Sequence, residues 1–147
     1  MTRLLVVVLL AAAACGVRNR PLAPELVQPE PPTALIAKSL AEGVRLTWRR
    51  PLKDSGGKSM RDLQGFDVER ADGTESVVYA HVGTFELTDQ TRFQKERVIS
   101  FTDTSAVADA TYRYRIIAYT LDGYRSVPSE SLVVTHRVPP ATAAPSP

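Results

Sequence analysis

Four groups of residues in this chain have side chains of the types that do chemistry. Gly56-Gly57-Lys58-Ser59 has the make-up of a phosphate-cradling loop. That loop needs a further glycine five positions before Gly57, a strand ahead and a helix behind, so that backbone amides and a helix dipole face the phosphate. Leu52 stands at that position and the flanks show neither element, so the stretch reads as a flexible loop. His81 and His136 are the only histidines, and neither has Cys or His at ligand spacing, so the reading is no metal. Asp103 and Asp109 sit close before a tyrosine-rich run, as a carboxylate pair or, more simply, as turn caps. No Gly-x-Ser-x-Gly elbow occurs. The expectation is no enzyme, no catalytic residues and no cofactor. What remains is Cys15, the single cysteine of 147 residues.

Cys15 stands at the end of an organised leader. Arg3 supplies one charge, and Leu4 to Ala14 is an unbroken apolar run. A membrane-crossing helix needs roughly 20 apolar residues, so this run has the proportions of a secretory signal. Ala12-Ala13-Ala14-Cys15 resembles the lipobox of bacterial lipoproteins, although Ala12 stands where the pattern prefers Leu. The resemblance implies cleavage between Ala14 and Cys15, a diacylglyceryl thioether on Cys15 and acylation of the new amino group. Several acyl chains together make a stable anchor. Gly16 rather than Asp after the cysteine is similar to the sorting pattern for the outer membrane of Gram-negative cells; with a single membrane, the anchor lies on its outer face.

Four segments follow: a signal peptide, 1–14; a lipidated, Pro-rich tether, 15–32; one folded domain, 33–137; and a disordered tail, 138–147. The tether carries Pro21, Pro24, Pro29, Pro31 and Pro32 and is expected to run extended, holding the domain off the bilayer. About 105 residues suffice for a core without disulfides or metal. With 18 Lys plus Arg against 16 Asp plus Glu, the charge is near balance and gives no case for nucleic acid.

The elements that position these residues are strands. Thr111 to Thr120 is the clearest: Tyr112, Tyr114, Ile116 and Ala118 alternate with Arg113, Arg115, Ile117 and Tyr119. Alternation and turn residues predict six more, at 33–38, 44–49, 63–70, 76–84, 98–102 and 132–136. The stretch 87–97 has no apolar period and reads as a loop, as does 51–62. Seven short strands point to an all-β sandwich. Trp48, Phe66, Val68, Tyr112, Ile116 and Leu132 are its expected core.

The motifs in order resemble the fibronectin type III family. Pro31-Pro32 precede Leu35, Leu46-Thr47-Trp48 is followed by Pro51, and Leu63 by Gly65-Phe66-Asp67-Val68. Tyr112-Arg113-Tyr114-Arg115-Ile116-Ile117-Ala118 follows, with Tyr114 in place of the family's aliphatic. Gly123, Ser126-Val127-Pro128-Ser129 and Leu132-Val133-Val134 close the pattern. The resemblance implies an immunoglobulin-like, seven-stranded sandwich. Strands one, two and five form one sheet; four, three, six and seven form the other. It also implies a corner in which the Tyr112 hydroxyl bonds backbone just upstream. The loops after strands two and four exceed the family norm.

The reading of function is a lipid-anchored, non-catalytic interaction module of the cell envelope, binding an envelope protein or glycan. The alternative is an assembly factor for the lipopolysaccharide translocon, because Cys15-Gly16-Val17-Arg18 and Pro21 are similar to the mature start of such lipoproteins. On the outer side of the four-stranded sheet, Asp67 and Glu69 should project beside Arg113 and Arg115. Ile117, Tyr119 and Val133 form the candidate contact face there.

Overall fold

The structure, a computed structural model, describes residues 21–94 and 97–138. The leader, Cys15 and residues 139–147 of the tail lie outside the described residues. Seven strands form: β1 (Thr33–Leu40), β2 (Gly43–Arg49), β3 (Leu63–Asp72), β4 (Ala80–Glu86), β5 (Val98–Asp103), β6 (Thr111–Thr120) and β7 (Leu132–Thr135). They pair antiparallel into two sheets, β1-β2-β5 and β4-β3-β6-β7, the partition expected from the motifs. Alternation along β2, β3 and β6 sends Val44, Leu46, Trp48, Phe66, Val68, Tyr112, Tyr114, Ile116 and Ala118 between the sheets, where all are buried. Trp48 meets Phe66 edge-on with ring centroids 5.5 Å apart, a favourable aromatic arrangement. Leu132, expected in the core, is only half-buried, because β7 is a four-residue edge strand.

Three expectations change. Strand four begins at Ala80, not Ser76: Val77 and Val78, which read as strand residues, lie in the preceding loop, each 78% exposed. The stretch 87–97 holds a helical turn, Asp89–Arg92, because the Thr88 hydroxyl accepts the amide of Thr91 at 3.2 Å. Arg50 then clamps the loop, donating to the carbonyls of Thr91 and Arg92 at 3.0 Å each and to that of Gln94.

The third change concerns the tether. From Leu26 onward the Pro-rich segment does not leave the domain; it docks on the long loop between β2 and β3. Ser55 N donates to Gln28 O at 2.8 Å, Gly56 N to Leu26 O at 2.9 Å, and Glu30 N to Lys53 O at 3.1 Å. Pro29 and Pro32 are buried. The loop receives the segment through a small hairpin in which Lys53 pairs with Ser59, and the Asp54 carboxylate accepts the amide of Lys58 at 2.8 Å. Gly56 permits the contact, because a Cβ there would lie 2.9 Å from Leu26 O. Of the two glycines in the phosphate-loop lookalike, Gly56 therefore serves a backbone approach and Gly57 a turn at a φ of 83°.

Candidate functional site

β3 and β6 pair along nearly their whole length, so their outward residues fall into rows across the sheet. Glu69 is opposite Arg115, Asp67 opposite Ile117, and Gly65 opposite Tyr119. Arg115 Nε donates to Glu69 Oε2 at 2.6 Å, and its guanidinium lies 3.8 Å from the centre of the Tyr79 ring. Asp67 finds its cation elsewhere than expected: Arg125 Nη1 is 2.7 Å from Asp67 Oδ2. The Thr84 hydroxyl donates to Asp67 Oδ1 at 2.9 Å, with His81 Nε2 3.5 Å from the same oxygen. Arg113 donates to the carbonyl of Thr74. The face is a lattice of groups already paired with one another.

This lattice decides the fate of the three predicted contact residues. Ile117 points outward as expected but is buried, only 7% exposed, which corrects its assignment to an open face. Arg125 pairs beside Tyr119 on one side of β6, and its guanidinium reaches Asp67 on the other. Its side chain must therefore cross β6 at the level of Ile117. Tyr119 is half-buried, its ring lying over Gly65, where a Cβ would come within 2.6 Å of its hydroxyl. That burial, with Glu86 and Asp67 nearby, pushes the phenol above its usual range. Val133 is exposed. The structure thus brings Ile117 and Tyr119 onto one surface with Val133, but covers the first and half-covers the second. Cys15 lies outside the described residues.

The inward side of the same strands holds a polar cluster that sequence reasoning missed. Asp103, at the end of β5, is 2% exposed. It accepts from the Tyr114 hydroxyl at 2.8 Å, Arg70 Nη1 at 2.8 Å, and the hydroxyl and amide of Ser105 at 2.6 and 3.0 Å. Burial alone would raise the Asp103 pKa, but the donors from Ser105, Tyr114 and Arg70 outweigh it and hold the carboxyl below its usual range. Burial, followed by the hydrogen bond to Asp103 and then its charge, pushes the Tyr114 hydroxyl well above the phenol range. Arg70 also stacks on Tyr112, 4.5 Å from the ring centre. The Tyr112 hydroxyl accepts the amide of Val107 at 2.9 Å, which is the expected corner. The available signal was Tyr114 itself, a tyrosine in an aliphatic slot.

The other chemical candidates stay apart. Asp103 caps its turn, while Asp109 is exposed at a φ of 61° with its amide on the carbonyl of His136. His136 is buried at the far end of β7, away from the exposed His81. Among the described residues no three His, Cys, Asp or Glu side chains gather at metal-binding distance, and no helix is long and apolar enough to cross a membrane.

This three-plus-four sandwich is matched in fold by solved structures. The fibronectin type-III domain of human fibronectin type III domain containing protein 3 aligns with 89% of this chain and 100% of its own, at a TM-score of 0.52 and 18% identity. The chain has the fibronectin type III fold. The twitchin kinase region from C. elegans aligns with 75% of this chain at a TM-score of 0.53 and 24% identity. Only 17% of that longer chain is covered. No protein-family model and no curated protein matches the sequence. On this fibronectin type III frame, the hairpin loop at 53–59 and the segment docked against it fall at the end where the chain enters β1, β3 starts and β6 ends.

Proposed function

We propose that the protein is a lipid-anchored cell-envelope lipoprotein, held at Cys15, whose fibronectin type III sandwich acts as a non-catalytic interaction module. The outward surface of its four-stranded sheet would meet an envelope protein or glycan. The observation that carries this reading is the paired lattice on that surface. Arg115 is fixed between Glu69 and the Tyr79 ring, and Arg125 is fixed on Asp67. Groups held in place before contact lose little side-chain freedom on binding, and paired charges are not left bare when covered. Val133 and the exposed edge of Tyr119 supply apolar contact beside the lattice. The lipobox-like sequence supports the anchor.

The test is site-specific photo-crosslinking in intact cells from Val133 and, as a control, from Ile36. Ile36 is 62% exposed on a strand of the opposite sheet. A discrete crosslinked partner from Val133 but not from Ile36 is expected. Identical patterns from both positions would remove the four-stranded face as the contact surface.

A further inference from the structure

An open cleft of about 690 Å³ lies where the docked N-terminal segment meets the ends of β1, β2 and β5. We propose that it is a binding site for a phosphate-bearing group, supplied by an anionic lipid headgroup of the membrane that carries the protein. Arg49, Arg50, Lys53 and Arg97 line it against one carboxylate among the described residues, Glu30. Arg49 and Lys53 are exposed, and among the described residues neither has a carboxylate at salt-bridge distance. Arg50 also lines the cleft, and its guanidinium is held in place by the carbonyls of Thr91, Arg92 and Gln94, so it contributes a fixed positive charge nearby and not a free donor. A planar guanidinium presents paired N–H groups that match phosphate oxygens, and an ammonium adds a compact point charge. Pro31, Pro51, Leu52 and Val98 supply an apolar lining for the carbon part of the ligand.

The docked segment is what makes this a cleft. The bond from Glu30 N to Lys53 O fixes the wall formed by Glu30 and Pro31 against the wall formed by Pro51 to Lys53. The choice of a lipid as the phosphate source rests on the lipoprotein reading. Ten residues, 16 to 25, separate Cys15 from docked Leu26. A fully extended chain of that length reaches at most about 40 Å. An anchor at Cys15 therefore keeps this end of the sandwich near the headgroups, where each basic side chain close to an anionic surface strengthens association about fivefold.

The full-length acylated protein would be placed in three samples: vesicles of phosphatidylcholine, vesicles that also contain phosphatidylglycerol, and phosphatidylcholine vesicles with inorganic pyrophosphate added. Lysines would be acetylated and the digest read by mass spectrometry. Lys38, exposed near the far end of β1, is the internal standard. Labelling of Lys53 relative to Lys38 should fall about fivefold with phosphatidylglycerol, and Arg49→Glu should restore it without moving the denaturant midpoint. Protection by pyrophosphate but not by phosphatidylglycerol would uphold the phosphate site and reassign its source to free phosphate. Equal Lys53 labelling in all three samples would overturn the proposal. The mass of the N-terminal peptide in the same digest reports acylation of Cys15, so failure of the anchor is seen separately.

Discussion

Glu69 and Arg70 are neighbours on β3, and Tyr114 and Arg115 are neighbours on β6, yet each pair is split between two environments. Outside, Glu69 and Arg115 meet with side chains 18% and 30% exposed. Inside, Arg70 meets Asp103 with side chains 19% and 2% exposed. The difference lies in what water does on each side. The outer pair is partly buried but keeps one side open to water, and a pair that keeps water gains little over its hydrated parts, about 0–1 kcal/mol. A buried carboxylate has lost its water, so every lone pair must find a donor, and removing one partner leaves the other stranded. The inner cluster meets that demand with four hydrogen bonds to Asp103. Alternation along a strand places residues one step apart into these opposed regimes.

Asp103→Ala should be the largest test of this contrast, costing about 3–5 kcal/mol in denaturant unfolding, because it strands Arg70 and the Tyr114 hydroxyl together. A cost below that of an exposed pair would erase the distinction. The same carboxyl should dominate the acid branch of stability. Its folded pKa lies below the unfolded value of about 3.9, so its contribution is full above that pH and is lost as pH falls through the folded value. The gap between the native chain and Asp103→Asn should thus narrow as pH drops below about 4, measured by urea midpoints across pH. Tyr114→Phe should cost about 1.5–3 kcal/mol, since it removes a donor to an ionised acceptor while Arg70 and Ser105 remain. The smallest effect, about 0.2–1 kcal/mol and reduced by added salt, belongs to Glu69→Ala on the outer face. A salt-insensitive loss there would show that the outer lattice behaves as a buried one.

Alternation at period two and turn glycines made the strands legible, while the sheet partition and the tyrosine corner were legible only through the resemblance of the ordered motifs to the fibronectin type III family. The sequence carried less of what depends on cover. Alternation correctly pointed Ile117 outward, but its burial and the Arg125–Asp67 pair at its level involve a loop residue whose reach no periodicity records. Val77 and Val78 have strand-forming side chains, yet they fall outside the ladder, since the pairing of β3 with β4 ends at Arg70 and Ala80 although β3 itself runs on to Asp72. The docked segment was the least visible. Its bonds to the hairpin join backbone to backbone, and the prolines that suggested a free arm include one that is fully buried. In retrospect Gly56 was the legible sign, a glycine demanded by the close approach of Leu26. Tyr114 was visible as an exception, but its partner lay eleven residues back across a turn.

The three bonds between residues 26–30 and 53–56 also have a mechanical meaning. Tension applied from the N-terminal side meets them before it meets β1. They join only backbone groups on a surface loop and lie outside the two sheets, so they can part while the sandwich stays folded. Their release would free residues 26–32 and lengthen the arm by at most about 25 Å. Once these bonds and the burial of Pro29 and Pro32 were overcome, the segment would act as slack between an N-terminal pull and the first strand.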